Sequence, residues 1–207
     1  MDLFFNQNFL LYLIAFVVSG IPFGYILAKK FAGVDIKKSG SGNIGATNVL
    51  RVVKEKDPKL AKKLGAITLI LDALKGVLIL LIAKALGVPE GVQWTIAVLA
   101  VAGHCFSVFL LFEGGKGVAT GFGVLMFMMP IPALIAIGVW VIAAKGLKIS
   151  SLSSLIGLGA FVISAYILYP EVPVILSHAP IWIITIIITY KHIPNIVRLF
   201  NKEESAV

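Results

Sequence analysis

From about Asn8 to Ala28 the chain carries no charged residue, and that run alone is long enough to cross the ~30 Å hydrocarbon core of a bilayer as a helix. Further apolar runs follow at Ala66 to Leu86, Trp94 to Phe112, Leu152 to Tyr169 and Val174 to Tyr190. Of the 207 residues 59% are hydrophobic and 14% charged, with mean hydropathy +1.00, a balance foreign to soluble domains. The sequence therefore reads as an all-α integral membrane protein, one polytopic domain over residues 1–207. Met1 to Asn8 lack a positive stretch, and no clean cleavage site follows, so the first run is read as a retained span. Within it, Ser19-Gly20-Ile21-Pro22 marks a kink that neighbouring membrane helices can accommodate.

Charge orders the spans. Ten of the eighteen Lys and Arg residues fall between Lys29 and Lys63, in one segment between two apolar runs. That clustering fits a cytoplasmic loop beside anionic lipid head groups rather than a nucleic-acid face, and no nucleic-acid partner is expected. With Asp2 before the first run and Lys29, Lys30, Lys37 and Lys38 after it, the positive-inside tendency places the amino terminus outside. The link from Gly87 to Gln93 holds Glu90 and no Lys or Arg, and the link from Tyr169 to Pro180 holds Glu171 and no basic residue, so both face outward. The tail from Lys191, with Arg198 and Lys202, is cytoplasmic by the same rule. Only 28 residues separate Lys116 from Lys145, and Pro130-Ile131-Pro132 interrupts them. Two full crossings need ~40 residues, yet charge favours two short helices over one long one. The count is seven spans, with six as the fallback, and no internal repeat is visible. The single Cys105 excludes an intrachain disulfide and a Cys-rich metal cluster. Neither a metal-ligand set nor a nucleotide or flavin fingerprint is present, so no cofactor is expected.

The polar motifs collect on the cytoplasmic side. Glu113-Gly114-Gly115-Lys116-Gly117-Val118-Ala119-Thr120-Gly121 has the character of a phosphate loop: glycines admit a close ligand, amides entering a helix supply N–H donors, and Lys116 adds a cation. Its spacing is not that of a nucleotide P-loop. Ser39 to Asn48 is rich in glycine and short hydrogen-bonding side chains, with the planar fork of Arg51 beyond it. Ser150 to Ser154 lie on the same side. His192, Asn195 and Arg198 follow at helical spacing, with Pro194 early in that helix. Asp72 and Lys75 share a helical face and read as a structural ion pair, and His104 as a hydrogen-bonded packing residue. Two anion-binding loops beside the bilayer suggest two phosphorylated substrates, or one soluble and one lipid-like phosphate.

Together these residues resemble the bacterial acyl-phosphate:glycerol-3-phosphate acyltransferases, the PlsY family. The resemblance rests on Ser41-Gly42-Asn43-Ile44-Gly45-Ala46-Thr47-Asn48 with Arg51, on Gly114-Gly115-Lys116-Gly117-Val118-Ala119-Thr120, and on His192 with Asn195, Ile196, Arg198 and Leu199. Leu71-Asp72, Lys75-Gly76, Gly103-His104 and Ser151 are further landmarks. It implies seven transmembrane helices, some short, with glycine-rich cytoplasmic loops forming the site, an outside amino terminus, a cytoplasmic carboxyl terminus and residence in the bacterial cytoplasmic (inner) membrane. It also implies that Ser41, Asn43 and Arg51 help bind glycerol 3-phosphate and that the Lys116 loop holds the phosphate of an acyl phosphate. The resemblance points to Lys116, Arg51, His192 and Asn195 as the catalytic residues, the last two because the family's carboxyl-terminal motif is needed for activity. By the same resemblance Asn48, Gly114, Gly115, Gly117 and Thr120 are expected to join the substrate-binding set, with Ser151 matching a family serine near the acyl-phosphate site. The partners implied are glycerol 3-phosphate, acyl phosphate and membrane lipids, with no obligate protein partner. The chain departs from the family pattern at Ser107 for a proline, Glu113 for a lysine, Ser19-Gly20 for Gly-Ser and Lys202 for a glycine; Glu204 keeps a glutamate position. Two other classes are weighed against this one: a transporter or exchanger of phosphorylated solutes, which the same basic loops would serve as an entry site, and a non-catalytic lipid-binding scaffold.

Overall fold

The structure is a computed structural model that describes residues 7–204, so Asp2 and the rest of the first six positions lie outside it. Ten α-helices follow in chain order: α1 (Gln7–Ser19), α2 (Phe23–Leu27), α3 (Ala46–Lys54), α4 (Pro58–Ala85), α5 (Glu90–Cys105), α6 (Val118–Met128), α7 (Pro130–Leu147), α8 (Ser150–Leu168), α9 (Ala179–Lys191) and α10 (Ile193–Phe200). The α1 and α2 helices form one broken span with the break at Gly20 to Pro22, where the sequence places a kink. A single π turn, Ala28–Ala32, continues α2 and ends at Gly33, whose φ is +61°. Among the described residues five helical segments are long and apolar enough to cross a membrane. A sixth arises if α9 and α10, bent by 56° at His192, are one span, and α6 is shorter than a full crossing.

Several boundaries differ from those read in the sequence. The α4 helix begins at Pro58 rather than near Ala66, because Asp57 caps it, accepting from the amides of Lys59 (2.9 Å) and Leu60 (3.0 Å) with proline at the first turn. It thus extends about two turns beyond its apolar stretch. The α5 helix stops at Cys105, not Phe112; Val108–Leu110 is a 3-10 turn, and Leu111 and Phe112 are left-handed. The last membrane helix starts at Ala179 rather than Val174. Within the basic segment, read only as a loop, Ala46 to Lys54 form α3, which buries Val49, Val52 and Val53.

Two apolar cores result. The larger, around Leu80, Trp94, Ile96, Val101, Val124 and Ile184, joins α1, α4, α5, α6 and α9. Close approach of α1 to α5 depends on Gly103, where any Cβ would collide with the Phe16 carbonyl. The smaller core, around Ile36, Ile44, Val49, Val53 and Leu64, seats α3 and the preceding loop on the extended start of α4. The α7 and α8 helices form an antiparallel hairpin, with left-handed Lys148 at the turn. Outward-facing apolar side chains are ordinary in such a fold: Ile70, Leu74, Leu78, Leu81 and Ile82 are all exposed along α4, a row suited to lipid and costly in water.

Candidate active site

The loop before α3 is shaped from inside by one buried amide. Asn48 Nδ2 donates to the carbonyls of Ile36 (2.9 Å), Ser39 (3.1 Å) and Asn43 (2.8 Å), while its Oδ1 accepts from the Ser41 amide (2.9 Å). Every polar atom of that side chain is thereby engaged within the loop. The side chains of Ser41, Asn43 and Arg51 have no hydrogen-bond partner among the described residues and line a pocket.

Lys116 lines the same pocket from the glycine loop. The amides of Gly114 and Gly115 are not its free donors: they bond to the carbonyls of Cys105 (3.1 Å) and His104 (3.0 Å), fastening the loop to the end of α5. Gly117, with φ +83°, turns the chain into α6, and the amides of Val118, Ala119 and Thr120 make no backbone hydrogen bond there. Val118 and Ala119 face the pocket; the Thr120 hydroxyl instead donates to the Asp72 carbonyl (2.7 Å). Burial lowers Lys116 from its ordinary 10.5 to about 8, with the carboxylate of Glu204 opposing that fall and Arg198 and Arg51 adding to it. The ammonium has no hydrogen-bond partner among the described residues. At the loop's outer edge Glu113 accepts from Lys37 Nζ (3.1 Å), tying the two loops together through an exposed pair of small energetic weight.

A third wall comes from the carboxyl-terminal end. His192 sits at the bend between α9 and α10, almost wholly buried, and its Nδ1 donates to the Ile188 carbonyl (2.8 Å), which leaves Nε2 as the acceptor nitrogen of the neutral ring. After α10 the amide of Lys202 bonds to the Leu199 carbonyl and that of Glu203 to the Arg198 carbonyl, around Lys202 at φ +60°. This is a Schellman cap with lysine where glycine is usual. The reversal carries Glu204 back into the pocket, where its carboxylate accepts from Ser151 Oγ (2.7 Å), Asn195 Nδ2 (2.6 Å) and Arg198 Nε (2.6 Å). Burial would raise the acid, but those hydrogen bonds and the Arg198 charge hold it below the usual carboxylate range.

The inner wall holds the ion pair read from the sequence: Lys75 Nζ donates to Asp72 Oδ1 (2.9 Å), and also to the Ile21 carbonyl (3.1 Å) and His104 Nδ1 (2.7 Å). Asp72 and His104 both border the pocket. Leu69 of α4 and Trp140 of α7, 51% and 37% exposed, border it on an apolar side. Among the described residues no group of three or more His, Cys, Asp or Glu side chains is placed to hold a metal ion.

A pocket with unpaired cations, free helix-entry amides and an apolar edge suits a phosphorylated compound and a lipid together, and comparison with known proteins agrees. Residues 9–202 match the family model described as glycerol-3-phosphate acyltransferase. The chain belongs to the glycerol-3-phosphate acyltransferase family. Curated relatives include the glycerol-3-phosphate acyltransferases of Sulfurimonas denitrificans, 59% identical over all of both chains, and of a Nitratiruptor species, 59% identical over 100% of this chain and 99% of that one. The fold is similar to a crystal structure of PlsY, an integral membrane glycerol 3-phosphate acyltransferase in its glycerol 3-phosphate form, with TM-score 0.84, 33% identity and coverage of 98% of this chain and 96% of that one. A lysophosphatidic acid form of PlsY superposes with TM-score 0.83 at 34% identity, over 97% and 95% of the two chains.

As a member of this acyltransferase family the chain is a multi-pass enzyme of the bacterial inner membrane that acylates glycerol 3-phosphate to lysophosphatidic acid, which displaces the carrier and scaffold alternatives. Ser41, Asn43, Asn48, Arg51, Lys116, Gly117, Ser151, His192 and Asn195 all border one pocket, whereas Gly114, Gly115 and Thr120 stand behind it. Glu204 and His104 border it too, although the sequence singles out neither as a site residue. For Glu204 a signal existed: it keeps a glutamate position two residues beyond Lys202, which occupies a glycine position of the family pattern and proves to be left-handed.

Proposed function

We propose that this acyltransferase takes its acyl group from an acyl phosphate and transfers it to the sn-1 hydroxyl of glycerol 3-phosphate. The observation that carries the reading is that Arg51 and Lys116, two cations without a hydrogen-bond partner among the described residues, line one pocket together with the apolar edge formed by Leu69 and Trp140. Ser41, Asn43 and Arg51 bind the phosphate of glycerol 3-phosphate. Lys116 and the amides of Val118 and Ala119 bind the phosphate of the donor, whose acyl chain leaves the pocket past Leu69. Asn48 acts through the loop it shapes, and Gly114, Gly115 and Thr120 by anchoring the Lys116 loop. Asn195 and Ser151 fix the Glu204 carboxylate.

In the reaction the substrate oxygen forms a bond to the acyl carbon, the bond from that carbon to the phosphate oxygen breaks, and inorganic phosphate leaves. The mixed anhydride is already activated, so the residues contribute chiefly position and charge. The proton of the hydroxyl goes to His192 Nε2 or to a phosphate oxygen of the substrates, both suited to accept it. No step requires a cofactor.

We further propose seven crossings within a single catalytic unit. The loop before α3, the Lys116 loop, the start of α8 and the α9–α10 bend all border one pocket, which supports an even number of crossings between each and the next. This supports a short, protein-packed crossing for α6, whose 11 residues contact α4 and α5. The basic residues of these segments support a cytoplasmic pocket, an outside amino terminus and a cytoplasmic carboxyl terminus.

The test is formation of labelled lysophosphatidic acid by the purified protein from glycerol 3-phosphate with acyl phosphate, acyl-coenzyme A or no donor. Product with acyl phosphate alone, lost in Lys116→Ala, is the expected result. Equal product with the thioester would overturn the donor assignment, and near-full turnover in folded His192→Ala assigns the proton to substrate phosphate.

A further inference from the structure

The buried cluster on the inner wall leaves one polar atom over. An ammonium carries three hydrogens and no lone pair, and Lys75 spends them on Asp72 Oδ1, the Ile21 carbonyl and His104 Nδ1. His104 Nδ1 must therefore accept. Asp72 Oδ1 is 3.8 Å from that nitrogen, too far to compete for it. A neutral imidazole that accepts at one nitrogen carries its proton on the other, so Nε2 is an N–H donor. Among the described residues Nε2 has no hydrogen-bond partner, although the ring is only 4% exposed. It lies against Gly115, where any Cβ would collide with it, and the ring borders the pocket beside Lys116 and Gly117.

We infer that His104 is a substrate-binding residue: its Nε2–H donates to a phosphate oxygen held by the Lys116 loop, and Lys75 is the positioning residue that fixes this tautomer. The identity of that phosphate as the acyl donor's or the released product's rests on the function proposed above; the assignment of an N–H at His104 Nε2 does not. The two histidines of the pocket then face it with opposite chemistry, His192 with a lone pair and His104 with a proton. Gly115 has a definite role in this arrangement, since a side chain there would push the ring away from the anion.

The experiment uses the full detergent-solubilised chain labelled with 15N-histidine and titrated with inorganic phosphate. The His104 signals are assigned by their loss in His104→Gln, or by elimination with His178→Gln and His192→Gln if that variant does not fold. The expected spectrum has an unprotonated Nδ1 and a protonated Nε2, with the Nε2 signal moving as phosphate binds. A proton on Nδ1, or an Nε2 signal unmoved at saturating phosphate, overturns the inference. In turnover, His104→Asn keeps an acceptor near Lys75 but removes the distal donor, and raises KM for acyl phosphate or Ki for phosphate about 10- to 100-fold. His104→Gln, with an amide N–H near the Nε2 position, restores much of that loss. Unchanged constants in folded His104→Asn also overturn it. Absence of turnover in the unmodified protein would sink the acyltransferase reading alone, and the phosphate titration would then decide the inference by itself.

Discussion

The fall of Lys116 from 10.5 to about 8 predicts a pH dependence that belongs to this one residue. In the empty pocket the ammonium has no hydrogen-bond partner among the described residues, and the shift corresponds to roughly 3 kcal/mol. A bound phosphate dianion offsets that cost and favours the charged form. Between pH 7 and pH 9 the charged fraction of a group titrating at about 8 drops from about nine-tenths to about one-tenth, so anion affinity weakens up to about tenfold. The substituted phosphate group of the acyl phosphate, with a second pKa of about 6 or below, stays dianionic between about pH 7 and pH 9. The assay is KM for acyl phosphate from pH 6.5 to 9.5 in the unmodified enzyme and in Lys116→Arg, whose guanidinium stays charged throughout. The unmodified enzyme loses affinity above about pH 8, while the arginine variant shows a flat profile whatever its absolute KM. The stability of the empty enzyme moves the other way. Because the unfolded chain keeps this lysine protonated up to 10.5, it binds more protons than the folded one between about 8 and 10.5, and folding stability rises with pH through that window. Saturating phosphate removes that rise. A KM flat to pH 9.5, or an equal loss in Lys116→Arg, refutes the reasoning.

Other perturbations follow from departures from the family pattern. Lys202→Gly relieves a left-handed lysine and raises stability by about 1 kcal/mol, seen as a higher unfolding midpoint in detergent without change in KM. A lower midpoint would contradict the Schellman geometry. Ser107→Ala removes the hydroxyl that donates to the Gly20 carbonyl (2.5 Å) at the break between α1 and α2, and costs about 1–3 kcal/mol of stability with a buried carbonyl left unpaired. An unchanged midpoint would mean that another group satisfies that oxygen.

The apolar runs, the proline breaks and the three polar motifs were legible because each is local: hydropathy marks a span, and glycine or proline marks its interruption. The break at Gly20 to Pro22 and the two helices meeting at Pro130 lie where the residues place them. The α3 helix escaped because its apolar face rests on Val49, Val52 and Val53 amid lysines, a short amphipathic pattern hidden within a basic stretch. Long-range pairing was beyond local reading. Nothing adjacent to Gly114 or Gly115 reveals that their amides are claimed by α5, nor does Asn48 announce that its partners lie within its own loop. Glu204 reaches the pocket only because the chain reverses at a residue that disfavours that backbone conformation.

The apolar edge between Leu69 and Trp140 has a kinetic meaning. On the proposed function one reactant reaches the pocket from water, while the lipid-like donor enters sideways past this edge and the acylated product departs the same way without dissolving in water. The enzyme thus works across two phases, and its saturation should follow the mole fraction of donor in the lipid or micelle. Adding inert detergent at constant bulk donor would slow turnover by dilution within the surface, even though the molar concentration in the tube is unchanged.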